Sequence, residues 1–439
     1  MNRLWICLAL LGLLLVLSCG ESSEEGTALP DTPSLPMATE GNGGITLPQG
    51  FGALVVADEL GRGLRHVAAS KSGDLYVKVM RPKEENAILA LRDQNGDGKA
   101  EQVEKFGDYP GTGVVLHGEY LYASSDVAIF RYGLEEGSLL PQGEPELVVG
   151  GFPEQRTHEA KSFTFDDQGN LYVNVGAPSN ACQANDRTAG EAGQDPCPLL
   201  ELHAGVWRYD ADELGQNHDA THRFATGLRN CVALEWDPTS KQLYALQHGR
   251  DQLSGLWPEL YTDEESAILP SEEFVQLNEG DDFGWPYCYN DHLQGKKVLA
   301  PEYGGDTKEV GRCADKKDPL LAFPGHLAPN DLLFYTGDLF PEKYRNGAFI
   351  AFHGSWNRAP EPQGGYFVAF VPMKDGKPAG EWEIFAEGFP QVEVIESPRD
   401  AEYRPMGLAQ GPDGSLYVTD SRKGRIWRIM YYGDQMAQK

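Results

Sequence analysis

Basic residues are scarce in this chain of 439 residues. It contains 37 lysines and arginines against 66 aspartates and glutamates, which gives a formal net charge of −29 at pH 7. A protein that binds nucleic acid needs a surplus of cations to neutralise phosphates. The deficit therefore argues against nucleic acid as a partner, and it makes any local group of basic residues a candidate functional feature.

Long apolar runs are also scarce, and the longest covers residues 4–17, just after Arg3. This length suits the core of a signal peptide and is short for a membrane span. The run ends in Val16-Leu17-Ser18-Cys19-Gly20, which looks like a bacterial lipobox, although Leu17 is not the usual small residue. We expect a lipoprotein signal peptide over residues 1–18, a lipid on Cys19, and a periplasmic, outer-membrane or cell-surface protein anchored to the membrane. The alternative is an ordinary secretory signal with a chance cysteine.

Apolar periodicity is absent from residues 19–44, which are rich in Ser, Glu, Pro and Gly. A segment of this composition cannot bury enough apolar surface to fold. We therefore expect a disordered acidic tether over residues 19–44 and a folded domain over residues 45–432.

Cysteine motifs for metals are absent, since the chain has neither a C-x-x-C-H haem motif nor a spacing typical of zinc sites. In an oxidising compartment we expect Cys182 to pair with Cys197 and Cys288 with Cys313, because each pair brackets one polar loop. Cys231 precedes an apolar strand, so we expect a buried free thiol there.

Amphipathic helical patterns are almost missing, and short strand–turn–strand units take their place. Similar stretches recur along the chain: SGDLYVKV, HGEYLYASS, QGNLYVNV, SKQLYALQ, NGAFIAFHG and DGSLYVTD. Units of this kind, repeated six times, predict an all-β fold, a six-bladed β-propeller in which each blade covers its neighbours. A pair of β-sandwiches is the alternative. We expect the long insertions near residues 183–203, 251–273 and 291–320 to lie around one mouth of the central channel.

Polar residues cluster where several predicted strands begin or end. The clusters are Arg229-Asn230, His248-Gly249-Arg250-Asp251, His353 with Ser355-Trp356-Asn357-Arg358, and Tyr403-Arg404. A ring of blades would direct them all to one channel mouth. Guanidinium groups bind carboxylates in pairs of hydrogen bonds, and Trp or Tyr covers ring faces, so such a pocket suits a flat polyanion.

Several of these stretches carry a family resemblance. The sequence resembles the pyrroloquinoline-quinone-dependent sugar dehydrogenases, specifically their sorbosone dehydrogenase-like branch, over about residues 46 to 430. The resemblance rests on ATGLRN, DDFGWPYCY, HGSWNR and YRPMGLAQGPDGSLYVTDS, together with the stretch around His158. It implies a six-bladed propeller, pyrroloquinoline quinone and calcium as cofactors, a sugar or sugar-derived aldehyde as substrate, and a separate electron acceptor.

The resemblance also implies roles for individual residues. His158 takes the position of the catalytic base, and an imidazole is a suitable base near neutral pH. Arg229 and Asn230 match the Arg-Asn pair that binds the cofactor, and Arg229 is also expected to stabilise developing negative charge. Gly249 and Arg250 fall where the family offers two backbone carbonyls to calcium.

Departures from the family pattern affect the cofactor site. Arg404 matches one of two paired cofactor arginines, but Glu402 occupies the position where the second is expected. A lysine of the better-known glucose dehydrogenases falls within residues 353–358, and Trp356, Asn357 or Arg358 replaces it. We expect these three residues and Arg404 to bind the quinone.

A separate motif lies at residues 93–104, DQNGDGKAEQVE, and it fits the calcium-loop pattern D-x-[DN]-x-[DN]-G-x5-E. The candidate ligands are Asp93, Asn95, Asp97, the Lys99 carbonyl, and Glu101 or Glu104. A strand-like segment precedes the loop, so this is not a helix-flanked EF-hand. It is either a structural calcium loop or a plain Asp/Gly-rich hairpin.

Two other functions compete with a sugar dehydrogenase. A calcium-dependent lactonase would hold a central ion with Glu, Asn and Asp side chains, whereas this sequence offers Arg, His and Trp at the strand ends. A propeller that binds carbohydrate or a protein without catalysis is the other alternative, which the missing cation at Glu402 leaves open.

Overall fold

The repeated units build six sheets around a central channel. The computed structural model describes residues 35–81 and 86–433. Each sheet has four antiparallel strands, and one gains a short fifth strand that pairs in parallel. The inner strands of neighbouring sheets contact one another around the whole ring. The predicted all-β six-bladed propeller is confirmed.

Each blade extends from an inner strand at the channel to an outer strand at the surface, and the blades are numbered in chain order. Blade 1 comprises Leu64–Ala69, Leu75–Val79, Ile88–Arg92 and Gln102–Phe106. Blade 2 comprises Val114–His117, Tyr120–Ser124, Ile129–Gly133 and Gln142–Gly150, with Gln216–Asn217 at its edge. Blade 3 comprises Phe163–Phe165, Asn170–Val175, Gly205–Asp210 and Arg223–Thr226. Blade 4 comprises Ala233–Asp237, Gln242–Gln247, Glu272–Leu277 and Leu321–Phe323. Blade 5 comprises Pro329–Phe334, Ala348–Phe352, Phe367–Val371 and Glu383–Ala386. Blade 6 comprises Pro405–Gln410, Leu416–Asp420, Ile426–Tyr431 and Phe51–Ala57.

Short elements occupy the connections. Two hairpins stand outside the blades: Cys288–Asp291 with Lys296–Leu299, and Met373–Lys374 with Lys377–Pro378. The α-helices of the described residues are Leu253–Leu256 and Asp263–Ile268. The 3-10 segments are Glu40–Gly44, Pro198–Glu201, Ala220–His222, Pro301–Tyr303, Gly311–Asp315 and Glu342–Tyr344. Within the described part of the chain, no helix is both long and apolar enough to span a bilayer.

Each sequence repeat supplies the second strand of one blade. The turn before it is fixed by side-chain hydrogen bonds, as in blade 3, where Asp166 Oδ1 accepts from the backbone N–H groups of Gln168 and Asn170 at 2.8 and 2.9 Å. In the following strand Leu171, Val173 and Val175 are then buried in one apolar cluster, and Tyr172 is buried in another. Because the turn residues and the apolar strand residues are adjacent in the chain, the repeats could be recognised from the sequence.

The ring is closed by the strand Phe51–Ala57, which forms the outer edge of blade 6. Phe51 lies opposite Tyr431 in this pairing. Its ring contacts Phe340 and Phe385 with centroids 4.9 and 5.1 Å apart. Burying a phenylalanine side chain stabilises a fold by about 1.5–3 kcal/mol, so this contact between blades 5 and 6 reinforces the closure.

The folded body begins before the expected start at Ile45. The backbone N–H of Thr39 donates to the Ala53 carbonyl, and Thr39 Oγ1 accepts from the Val55 N–H at 2.9 Å. The compact unit accordingly extends from Pro36. The predicted signal peptide, Cys19 and most of the predicted tether lie outside the described residues.

Both predicted disulfides are confirmed, as Cys182 bonds to Cys197 and Cys288 to Cys313. Cys231 is a buried free thiol, as expected. Each disulfide closes a loop inserted in blade 3 or blade 4, and constraining such loops favours the folded state.

Candidate functional site

The inner strands begin, and the second strands end, at one mouth of the channel, which we call the upper mouth. A cavity of about 290 Å³ opens there beside blades 3, 4 and 5. It is lined by Thr157, His158, Arg187, Arg229, His248, Gly249, Asp251, Glu272, His326, Ala328, Ser355, Trp356 and Asn357. The fold therefore brings together His158, Arg229, Gly249, Trp356 and Asn357, as predicted from separate stretches of sequence.

His158 is held in one orientation by its backbone and its ring. Its φ of 57° lies in the left-handed region, which is uncommon for residues other than glycine. Nδ1 lies 2.6 Å from the Ala177 carbonyl oxygen. Because that oxygen can only accept, Nδ1 carries the proton and the Nε2 lone pair is free. Burial, helped by the charge of Arg229, lowers the pKa of His158 to about 3, so the ring is neutral at pH 7.

A glycine makes this arrangement possible. A Cβ on Gly176 would lie 2.7 Å from the His158 Cβ and 2.8 Å from the Asn230 Oδ1. Asn230 is itself buried, and its Oδ1 has no hydrogen-bond partner among the described residues. The Asn230 carbonyl accepts the His248 N–H at 2.9 Å, which ties the entry of blade 4 to the end of its second strand.

Arg229 is fully buried and its charge is balanced by Asp251. Its Nη2 donates to Asp251 Oδ2 at 2.7 Å and to Asn180 Oδ1 at 3.2 Å. Its Nη1 donates to the Gly249 carbonyl at 2.9 Å. Burial alone would raise the pKa of Asp251, but the charges of Arg229 and Arg187 hold it well below the usual range. The carboxylate is therefore ionised, as a buried arginine requires.

Two further groups converge on the same carboxylate. Arg187, from the loop that the Cys182–Cys197 disulfide closes, donates to Asp251 Oδ2 at 2.7 Å. Asn357 donates to Asp251 Oδ1 at 2.8 Å, while its own buried Oδ1 has no partner within the described residues. Asp251 thus joins an insertion loop of blade 3, the entry of blade 4 and the loop after the second strand of blade 5.

Gly249 and Arg250 differ in what they offer to the cavity. The Gly249 carbonyl lies at the cavity, where it already accepts from Arg229. The Arg250 side chain forms a buried ion pair with Glu302 at 2.8 Å and does not line the cavity. Only the backbone of Arg250 remains available as the predicted calcium ligand, and that role stays a prediction.

Arg358 and Arg404, predicted to bind the cofactor, do not line the cavity. Arg358 donates to the carbonyls of Pro362 and Ala267 at 2.9 and 3.0 Å. Arg404 donates to the carbonyls of His353 and Gly354. Both guanidinium groups therefore brace the HGSWNR loop, and Trp356, 55% exposed, is the large side chain that the loop presents at the cavity.

Sequence reasoning placed Asp251 in the cluster His248-Gly249-Arg250-Asp251 but gave it no role, and it missed Arg187 and His326. Arg187 lies in an insertion loop whose path the repeat pattern does not determine. His326 lies before the inner strand of blade 5 and adopts a positive φ of 65°, with its Nε2 3.0 Å from the Ser266 carbonyl oxygen.

The predicted calcium loop is compact and acidic. Carboxylate oxygens of Asp93, Asp97 and Glu101 lie within 4.8 Å of one another. Glu104 is not part of this group, because it lies in the outer strand of blade 1 and accepts from Gln102 at 3.2 Å. Asn95 Oδ1 accepts the Asp97 N–H, and Asp97 Oδ1 accepts the Lys99 N–H, both at 2.8 Å.

Comparisons with known proteins agree with this fold. A pyrroloquinoline quinone-dependent pyranose dehydrogenase from Coprinopsis cinerea is 25% identical over 289 residues, which cover 57% of this chain and 38% of that protein. The chain spans less than half the length of the curated relatives it matches.

Solved structures show the same architecture. A calcium structure of the Trichoderma reesei carbohydrate-active enzyme family AA12 covers 88% of this chain and 97% of its own, with a TM-score of 0.71 and 17% identity. The holo form of the pyranose dehydrogenase PQQ domain from Coprinopsis cinerea covers 88% and 97%, with a TM-score of 0.67 and 18% identity.

The resemblance to quinone-dependent sugar dehydrogenases is confirmed, while placement in the sorbosone dehydrogenase-like branch stays a prediction. A family model described as TrAA12-like matches residues 45–432. This match begins just before the strand Phe51–Ala57 and ends just after the strand Ile426–Tyr431, so it includes all six blades. The chain therefore belongs to the TrAA12-like family.

Proposed function

We propose that this protein is a dehydrogenase that oxidises a sugar or sugar-derived aldehyde, with pyrroloquinoline quinone as cofactor, His158 as base and a separate electron acceptor. The family and the named relatives support this class of enzyme. One observation carries the assignment of the base: a neutral imidazole with a free Nε2 shares a cavity with the buried cation Arg229.

The cavity fits a flat quinone that bears carboxylates. Arg229 and Arg187 place two guanidinium groups on its wall, and such groups bind carboxylate and carbonyl oxygens. Trp356 offers an aromatic face, and Asn357 offers an unpartnered polar atom. When bound, the quinone would accept the hydride that leaves the substrate carbon.

His158 and Arg229 would handle the charges of the reaction. Nε2 of His158 takes the proton of the substrate hydroxyl as its carbon–oxygen bond becomes a carbonyl. For an aldehyde substrate, this hydroxyl is one of the two on its hydrate. The Nδ1–H bond to the Ala177 carbonyl holds the ring in place and stabilises the resulting imidazolium. Arg229 supplies a fixed positive charge beside developing negative charge, in a site largely shielded from water.

Calcium is the second proposed cofactor. At the cavity it would depend on the backbone oxygens of Gly249 and Arg250, together with the quinone itself. Among the described residues, the only close group of three side-chain ligands is Asp93, Asp97 and Glu101. We therefore propose two calcium sites with different roles, one at the cofactor and one structural.

Export and lipid anchoring complete the proposal. The lipobox-like Val16-Leu17-Ser18-Cys19-Gly20 supports cleavage before Cys19, and the two disulfides support an oxidising compartment. Mass spectrometry of the membrane fraction is expected to show a diacylated Cys19 at the mature N-terminus. A water-soluble mature protein without Cys19 would point to an ordinary secretory signal.

Reconstitution tests the proposed reaction and its base. We expect the quinone- and calcium-loaded protein to reduce a dye in the presence of at least one sugar from a panel of aldoses and sorbosone. In His158→Gln the rate constant is expected to fall by about 10²–10⁴-fold, the usual contribution of a general base. Stopped-flow or steady-state dye reduction measures both values.

His222→Gln is the matched control, since His222 lies in the short 3-10 segment Ala220–His222 and not at the cavity. The quinone dissociation constant, followed by tryptophan fluorescence, is expected to stay within about twofold in His158→Gln, as befits a base rather than a cofactor ligand. A His158→Gln enzyme with native turnover would rule out the proposed base.

The carboxylate of Asp251 generates a second prediction. Asp251→Asn keeps the shape but leaves Arg229 and Arg187 without their shared anion. Removing one partner of a buried ion pair commonly costs about 3–5 kcal/mol, so we expect a lower melting temperature and at least about tenfold weaker quinone binding. Asp195→Asn, which breaks the exposed pair with Arg312, is expected to change neither; equal effects of both variants would contradict a special role for Asp251.

The acidic loop generates a third prediction. Gly98 packs against Leu54, and the Ala100 N–H donates to the Val56 carbonyl, so the loop abuts the closing strand. Calcium at a hundredfold excess over its dissociation constant would stabilise the fold by about 2.7 kcal/mol. We expect calcium to raise the melting temperature of the quinone-free protein, and Asp93→Asn with Asp97→Asn to abolish that rise. An unchanged rise in the double variant would assign the effect to another site.

A further inference from the structure

The side of the upper mouth formed by blades 1, 2 and 3 holds a second set of charged residues. Arg65 is the second residue of the inner strand Leu64–Ala69. Glu159 directly follows His158, and Asp126 lies two residues after the second strand of blade 2 ends at Ser124. Because inner strands begin and second strands end at this mouth, all three residues lie there with His158.

Arg65 reaches this mouth with most of its donors unused. Its Nε donates to Thr112 Oγ1 at 3.2 Å. Within the described residues its guanidinium has no carboxylate within 4.0 Å, and its Nη groups make no hydrogen bond. Burial lowers the pKa of Arg65 to about 10, opposed by the charges of Glu159 and Asp126. The group is therefore a cation near two anions with which it forms no contact pair.

The two carboxylates are similarly unpartnered. Asp126 and Glu159 are half-buried, and in the described part of the chain neither carboxylate accepts a hydrogen bond or forms an ion pair. Burial raises the pKa of Asp126, and the neighbouring charge of Glu159 adds to the effect. Within the described residues, two carboxylates without partners and one guanidinium with unused Nη groups thus lie at this mouth.

The lysines of this region do not fill that role. Lys161 is fully buried and donates to the Glu159 backbone carbonyl at 2.8 Å. Lys78 is fully buried and donates to the Tyr109 carbonyl at 2.8 Å. Their charges lower the cost of holding Asp126 ionised, but their N–H groups are directed to the backbone. Of these five charged side chains, Arg65, Asp126 and Glu159 are the ones that make no hydrogen bond to a backbone carbonyl or N–H within the described residues.

The charge pattern selects the class of ligand. An anion would meet two carboxylates, and a cation would meet the guanidinium of Arg65. A neutral polyol avoids both repulsions, because each hydroxyl donates to a carboxylate and accepts from a guanidinium. Half-buried charges without partners carry a desolvation cost that such hydrogen bonds would offset.

We propose that Arg65, Asp126 and Glu159 form a polyol subsite that holds the hydroxyl groups of the substrate while His158 faces the carbon to be oxidised. This inference rests on the proposed function for the role of His158. It assigns substrate selectivity to the blade 1–3 side of the mouth, and it makes a polyhydroxylated sugar, rather than a simple alcohol or aldehyde, the preferred substrate.

Sugar binding to the quinone-free full-length protein tests the subsite directly. Saturation-transfer NMR with D-glucose, D-galactose and D-xylose measures binding without turnover. Loss of a hydrogen bond to a charged group costs about 1.5–3 kcal/mol, so we expect Glu159→Gln, Asp126→Asn and Arg65→Lys each to weaken the best-bound sugar by about tenfold or more. Glu154→Gln and Arg62→Lys, which alter exposed residues close to Glu159 and Arg65 in the sequence, are expected to bind sugar as the native protein does.

A second measurement separates the subsite from the fold and from the quinone. Melting temperature and quinone affinity are expected to remain native in the three variants. In the loaded enzyme we expect the KM for the sugar to rise about tenfold or more, while kcat/KM for 1-propanol, which lacks further hydroxyls, stays unchanged.

The outcomes distinguish the two proposals. If the sugar binds the three variants as tightly as the native protein, or if no sugar binds a native protein that does bind the quinone, the subsite is overturned. An equal loss of kcat/KM for 1-propanol and for sugar would also overturn it. If the quinone fails to bind but sugar binding requires the three residues, the subsite holds and the dehydrogenase assignment fails.

Discussion

The ion pair between Arg229 and Asp251 is the interaction on which the candidate site depends. A buried guanidinium is tolerated only where a carboxylate and further acceptors compensate for the water it has lost. Asp251 supplies that compensation and also receives Arg187 and Asn357. Three chain segments that are distant in sequence therefore meet at one carboxylate, and the cavity takes its shape from that meeting.

The two sides of the upper mouth differ in how their charges are satisfied. Beside blades 3 to 5, Arg229 and Asp251 are paired within the protein, as a preorganised cofactor site requires. Beside blades 1 to 3, Arg65, Asp126 and Glu159 form no ion pair among the described residues, and Arg65 donates only to the neutral hydroxyl of Thr112 there. A surface that binds and releases a substrate is expected to keep charged groups unpaired, as on the side of blades 1 to 3. A permanent framework is expected to pair its charges internally, as on the side of blades 3 to 5.

The fold was predictable because its information is local. Each repeat combines a turn fixed by residues such as Asp166 with a strand of alternating apolar side chains, and the same chemistry recurs six times. The placement of His158 and Arg229 at the cavity was also predictable, since both lie a few residues before inner strands and matched motifs of a recognisable family. Strand ends determine which mouth a residue reaches, and that much can be read from the sequence.

The directions of long side chains were not predictable in the same way. Arg250 pairs with Glu302, and Arg404 donates to the carbonyls of His353 and Gly354, so neither guanidinium enters the cavity. Arg187 reaches Asp251 from an insertion loop. In each case the partner lies some fifty residues or more away, and its position depends on how loops pack rather than on strand periodicity.

Ring closure gives this fold an unusual order of completion. Among the described residues, the strand Phe51–Ala57 is the first blade strand in the chain, yet its one sheet neighbour there is Ile426–Tyr431, the last. The ribosome synthesises the first strand long before the last one. Phe51 and its neighbours therefore stay unpaired until almost the entire chain has been made. Pairings of such high sequence separation form late and slowly. The apolar face of the strand Phe51–Ala57 is therefore exposed for longest during synthesis, and it is the surface that a chaperone is most able to bind.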